Sequence, residues 1–240
     1  MHDLSPFFWI MLFALGAMAV NAAGIFAIWK NSRWARKHVG HFMCFAAGML
    51  ITSPLIMALP EALEKSPRAG IAALAGFIFM LLSNRYIKKH TGTRELAFGV
   101  TAIQGILIHS LLDGVVYTVT FSVSILTGVL TGLGLVVHEF AEGVVTFSML
   151  LKSGISPRKA SVFAFFAAAL TTPIGALVAY PAISRVSDSL LGLALGFVAG
   201  VLIYISAAHL LPEAGAHDKE HSGISFFSGV ALAFLLLLIK

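Results

Sequence analysis

The chain has 240 residues, 58% of them hydrophobic and 11% charged, with a formal net charge of +5 and a mean hydropathy of +0.93. Soluble domains carry about a quarter charged residues, so this composition excludes a soluble fold and points to an all-α integral membrane protein. The positive charge belongs to topology rather than to a nucleic-acid partner, and the single cysteine, Cys44, excludes an internal disulfide framework.

A spanning helix needs about 20 mostly apolar residues, and the chain offers eight such segments with short connections. The first, 5–29, has Asp3 ahead of it instead of basic residues. It runs on into WKNSRWARKH rather than a cleavage site, so it reads as a retained helix and not a leader. The second, 39–62, ends in LPEA, and the third covers 69–87. The fourth, 95–119, carries IHSLLDG at its middle, and the fifth, 123–151, carries HEFAEG at its middle. The sixth, 157–181, contains LTTPIG, the seventh, 189–215, ends in HLLPEA, and the eighth covers 223–239. One transmembrane domain over 1–240 is expected, with no room for a soluble one.

Twelve of the 16 Lys and Arg residues fall in alternate loops, those after the first, third, fifth and seventh segments. The positive-inside rule then puts both termini on the extracytoplasmic side, and a multi-pass chain of the cell membrane is expected. Residues 45–62, FAAGMLITSPLIMALPEA, align without a gap on 197–214, FVAGVLIYISAAHLLPEA, at an offset of 152. With this topology the second and seventh helices run in opposite directions. The repeat is therefore inverted, relating helices 1–3 to 6–8 around a central 4/5 pair, as in transporters whose halves expose one site to either side.

His109 and Asp113 are four apart and share a helix face, as do His138 and Glu142; Ser110 and Glu139 each follow a histidine, turned about 100° from it. An acid at mid-bilayer costs about 2.5–3.5 kcal/mol on insertion scales, so Asp113, Glu139 and Glu142 together cost on the order of 8–10 kcal/mol if unpaired. No Lys or Arg lies at matching depth in the segments, so the compensation must come from water, protons or a cation. Imidazole nitrogen with carboxylate oxygen suits zinc, iron, manganese, cobalt or cadmium better than magnesium or calcium. Two other readings stay open: packing histidines, and a proton relay serving a secondary transporter or channel for another solute. A metalloprotease would place a second histidine where Glu142 stands, so no enzyme is expected.

At these residues the sequence resembles the ZIP family of zinc and iron transporters, whose fourth and fifth helices carry H-N/S-x-x-E-G and H-D/E-x-P-E-G. Here the strings are HSLLDG and HEFAEG, and HLLPEA at 209–214 is similar to a further family element. The resemblance implies eight helices and a metal site between helices 4 and 5. It implies a primary site of His109, Asp113 and Glu142. Ser110, Glu139 and the bridging Glu142 would line a neighbouring second site, and His138 would stand beside the path. Three positions depart from the family pattern: Asp113 for glutamate, Ala141 for a kinking proline, and Thr172 where two-metal members carry a glutamate on the sixth helix. The last departure favours one metal over two.

His209 on the seventh helix and its repeat partner Met57 are candidates for the metal's exit and outer mouth. Glu61 and Glu64 stand at the outer rim, Glu213 at the inner mouth, and His217, Asp218 and His221 in the inner loop. The loop NRYIKKHTGTREL has no histidine-rich run, so no metal-sensing segment is expected there. The expected activity is movement of Zn2+, or else Fe2+, Mn2+, Co2+ or Cd2+, into the cytoplasm by alternating access, with a homodimer by analogy alone. Metal ions and the lipid bilayer are the expected partners.

Overall fold

The computed structural model describes residues 5–185, 187–212 and 222–239, and every regular element among them is helical. α1 (Pro6–Lys30) opens with Ser5, whose hydroxyl caps the Phe8 N–H, and with Pro6 where a missing N–H is harmless. α2 (Ser32–Ser53) begins before the apolar segment expected from 39, because the basic stretch SRWARKH is itself wound into the helix. The same segment passes through a π turn (Pro54–Ala58) into α3 (Leu59–Lys65). α4 (Ala69–His90), α5 (Arg94–Val123) and α6 (Ile125–Lys152) follow. Then come α7 (Pro157–Ala164), a π turn (Phe165–Ala169) and α8 (Thr171–Ala179). α9 (Asp188–Ile205) enters a further π turn (Ser206–Leu210), and α10 (Ser222–Ile239) completes the described chain.

Two of the three described π turns, Pro54–Ala58 and Ser206–Leu210, have a cause in the sequence. Pro60 and Pro212 of the two L-P-E-A strings lack an N–H, and their rings clash with the carbonyl four residues back. The preceding turn widens instead: Leu59 N–H bonds to Pro54 O and Leu211 N–H to Ser206 O, each five residues back. The two turns stand at the same 152-residue offset as the sequence repeat.

Six helical stretches among the described residues are long and apolar enough to cross a membrane: Pro6–Lys30, Gly40–Lys65, Ala69–His90, Arg94–Ser122, Pro157–Ala182 and Asp188–Ala208. Of the remaining two expected segments, α6 is 28 residues long and Gly223–Leu235 is a shorter apolar helix. The chain is a multi-pass membrane protein.

The helices pack as pairs. α4 lies on α9, α2 on α10, α1 on α6 and α5 on α8, and α5 and α6 meet each other in the middle. Glycines set the closest approaches. A Cβ on Gly48 would strike the backbone of Phe226 in α10, and one on Gly200 would strike the backbone of Ala73 in α4. Below the α5/α6 midpoint, Met43, Leu50, Met80, Ile106, Met149, Val201 and Ile205 form one apolar core. Asn84 ties this end together, donating from Nδ2 to the Tyr204 hydroxyl at 2.8 Å and accepting from the Thr101 hydroxyl at 3.2 Å.

Gly200→Ala forces a methyl onto a carbonyl that cannot swing aside, and overpacking of this kind costs about 1–3 kcal/mol. At about 2–4 °C per kcal/mol for a chain of this size, the detergent-solubilised variant is expected to melt several degrees lower. Gly16→Ala, with nothing within 4 Å of the added carbon, is the control and should melt with the parent.

Candidate metal site

The two polar motifs meet because α5 and α6 are antiparallel neighbours joined only through Ser124. Each motif puts its histidine and acid one turn apart on the face turned to the other helix. Asp113 Oδ2 stands 3.5 Å from His109 Nε2 and 3.1 Å from His138 Nε2. Glu142 Oε2 stands 3.4 Å from His109 Nε2 and 3.7 Å from His138 Nε2. The four atoms form a ring of alternating nitrogen and oxygen, all within 4.8 Å of one another. Bonds of 2.0–2.1 Å to tetrahedral zinc put neighbouring donors ~3.3–3.4 Å apart, so the ring edges already have the right length, while the ring as a whole is flatter than a tetrahedron.

The side chains around the ring fix its acids. Ser110 donates its hydroxyl to Glu142 Oε1, leaving Glu142 Oε2 buried with no hydrogen-bond partner. A buried acceptor left unmatched costs about 1–3 kcal/mol, more when charged. This orphaned oxygen is one of the four ring atoms, so the geometry supplies a ready place for a cation.

Glu139 points elsewhere. It is fully buried, and its Oε2 accepts from Asn21 Nδ2 of α1 at 2.7 Å while its Oε1 accepts from the Thr172 hydroxyl of α8 at 3.2 Å. Close helix approach makes this possible. A Cβ on Gly143 would strike the backbone of Asn21, and one on Gly114 would strike the backbone of Thr172. The glycine that ends each motif therefore seats the helix behind it.

A cavity of about 150 Å³ leads from His109, Asp113, His138 and Glu142 past Val116 and Leu135 to Ser53, Met57, Glu61 and Leu195. Met57 and Met49 are both among the residues that line it. Ile106 also lines this cavity; Ile106, Val201 and Ile205 are fully buried, and the side chains of Ile205 and Val201 fill the space beside Gly105. His209 lies in the π turn, but its side chain falls outside the described residues, as do Glu213, His217, Asp218 and His221.

His109, Asp113 and Glu142, expected as the primary site, are brought together, His138, expected beside the path, joins them, and Ser110 touches Glu142. Glu139 and Thr172 are brought together with each other, behind the ring. Sequence reading did not single out Asn21. The available signal was a lone amide inside the apolar run MAVNAAG, which has to find a partner once buried.

The description "ZIP zinc transporter" belongs to a family model that matches residues 88–237, more than half of the chain. Zinc transporter ZIP9 of Xenopus tropicalis is 24% identical over 166 residues, covering 63% of this chain and 54% of that protein. Zinc transporter ZupT of Chlorobium chlorochromatii is 36% identical over 84 residues, 34% of this chain and 31% of its own. Zinc transporter ZIP10 of Mus musculus is 28% identical over 138 residues, 58% of this chain and 16% of its own. The chain spans about half the length of the ZIP9 relatives it matches. With the paired motifs on adjacent helices and a match running from the end of α4 through most of α10, the chain belongs to the ZIP zinc transporter family.

Proposed function

We propose that the chain carries a divalent transition metal, zinc before iron, manganese, cobalt or cadmium, through the ring of His109, Asp113, His138 and Glu142. One observation carries the reading: two nitrogens and two oxygens face one another in mid-helix, with edges of zinc-site length, at the foot of a cavity. Borderline-soft N/O donor sets suit zinc and its neighbours. The names of the relatives, all zinc transporters, favour zinc.

Eight spans follow if α6 and α10 cross the membrane with the six long apolar stretches. The π turns at Pro54–Ala58 and Ser206–Leu210 support the inverted repeat. So does the pairing of helices, since exchanging helices 1–3 with 6–8 and 4 with 5 turns α4·α9 into α10·α2 and α1·α6 into α8·α5. With both termini outside, as the Lys/Arg distribution requires, the Met57–Glu61 end of the cavity faces outward. The ring is then open to the outside and sealed inward by Ile106, Val201 and Ile205. Cargo binds from outside. Release requires the Ile205–Gly105 contact to part as the mouth near Met57 closes, so only one side is open at a time.

Each ring member has a task. The imidazoles supply neutral nitrogen, which favours zinc over magnesium and calcium. The carboxylates supply the charge that offsets dehydration of the dication, and the cation removes the cost of holding two acids at this depth. Ser110 holds Glu142 so that its other oxygen stays on the ring.

In proteoliposomes loaded with a zinc-sensitive dye, wild-type protein is expected to take up zinc. His109→Ala, Asp113→Ala and Glu142→Ala should each slow uptake by at least about tenfold. Equal uptake by all three variants overturns the site, and proton flux that needs no metal would favour the relay reading. Zinc affinity should also fall with pH, because protonated imidazoles and carboxylic acids cannot ligate and binding must release those protons. Competition titration between pH 7.5 and 5.5 should find at least about tenfold weaker binding at the lower pH.

A further inference from the structure

We propose that Glu139 is a positioning residue, not a cation ligand: it bolts α6 to α1 and α8 and so sets the direction in which His138 and Glu142 face. The inference rests on the metal-site reading above and goes beyond it.

Glu139 is the one acid of the two motifs that takes no part in the four-atom ring. Both of its carboxylate oxygens are engaged by donors from different helices, Asn21 on α1 and Thr172 on α8. All three side chains are fully buried. Turning the carboxylate toward the ring would strip the Asn21 amide and the Thr172 hydroxyl of their acceptor among apolar neighbours, where an unmatched polar group is strongly disfavoured. The donors are themselves fixed, because the backbones that bear them are seated against Gly143 and Gly114 without room for a Cβ.

The position on α6 explains why this matters. Neighbouring helical residues point about 100° apart. A side chain anchored toward α1 and α8 at position 139 therefore fixes where 138 and 142 project. His138 and Glu142 then face α5, where they meet Asp113 and His109. Groups that orient ligands in this way are worth 10–100-fold in metal affinity. The anchor needs hydrogen-bonding shape more than charge. A glutamine at 139 keeps an acceptor for Thr172, and the Asn21 amide can turn over to accept from the new NH2.

The test is zinc titration of the purified full chain in detergent micelles, read as affinity and as equivalents bound, for wild type, Glu139→Gln, Glu139→Ala, Asn21→Leu and Glu142→Gln. The expected result is one equivalent for wild type and Glu139→Gln with affinities within threefold. Glu139→Ala and Asn21→Leu should bind one equivalent about 10–100-fold more weakly, and Glu142→Gln should lose binding as a ligand variant does. If Glu139→Gln loses as much affinity as Glu142→Gln, or drops an equivalent that wild type binds, Glu139 is a ligand and the proposal falls. It falls equally if Glu139→Ala and Asn21→Leu bind like wild type. Should those two variants fail to fold, the comparison of Glu139→Gln with Glu142→Gln still decides it. Failure of the underlying site looks different: wild type binds no zinc, or His109→Ala binds as tightly as wild type.

Discussion

Placing acids at mid-membrane is the constraint around which the rest of the chain is arranged. Asp113, Glu139 and Glu142 lie within helices whose surroundings are otherwise apolar, at depths where each unpaired charge costs about 2.5–3.5 kcal/mol. The chain deals with them in two ways. Both oxygens of Glu139 accept hydrogen bonds within the protein, from an amide and a hydroxyl on two other helices. Asp113 and Glu142 face two imidazoles, and one Glu142 oxygen is left with no hydrogen-bond partner. One oxygen in the ring is thus left unmatched, beside an acid whose two oxygens both have donors.

Close packing makes the arrangement possible. Two helices can stand behind the α5/α6 pair only because Gly114 and Gly143 leave no side chain in the way, and the donors to Glu139 arrive on those helices. The same device recurs at Gly48 and Gly200, where α2 meets α10 and α9 meets α4. In lipid, where apolar surface gains nothing from leaving water, small residues that allow intimate backbone contact do much of the work of association. Against these tight pairs stands the looser region around the ring, hollow toward Met57 and Glu61 and filled by Ile106, Val201 and Ile205 on the other side. That asymmetry sets a hollow lined mainly by apolar side chains on one side of the ring against closely packed aliphatic side chains on the other.

Much of this could be read in advance. Apolar runs of about 20 residues mark the six long apolar helical stretches, and the i, i+4 spacing puts His109 with Asp113 and His138 with Glu142 on shared faces. The recurring L-P-E-A carries a structural consequence, since its proline widens the turn just before it, and both strings have such a turn. The helix of α2 begins several residues ahead of its membrane-long apolar stretch, which starts at Gly40, because hydropathy reports what a bilayer tolerates, whereas SRWARKH simply lengthens the helix. The resemblance puts His138 beside the path, yet its Nε2 lies as near Asp113 as any pair in the ring.

By itself the sequence determined that the chain is helical and membrane-embedded, which residues could ligate a cation, and that two motifs of like spacing share a face on adjacent helices. These follow from local rules: hydropathy, the 3.6-residue turn and the chemistry of side chains. Which acids join the ring and which is held apart was decided only by tertiary structure. Ser110 and Glu139 occupy corresponding places in the two motifs, but one braces Glu142 and the other is held by α1 and α8. The partners that make this difference, Asn21 and Thr172, lie 118 and 33 residues from Glu139 along the chain. Spacing within a helix says where a side chain points, and only packing between helices says what it meets there.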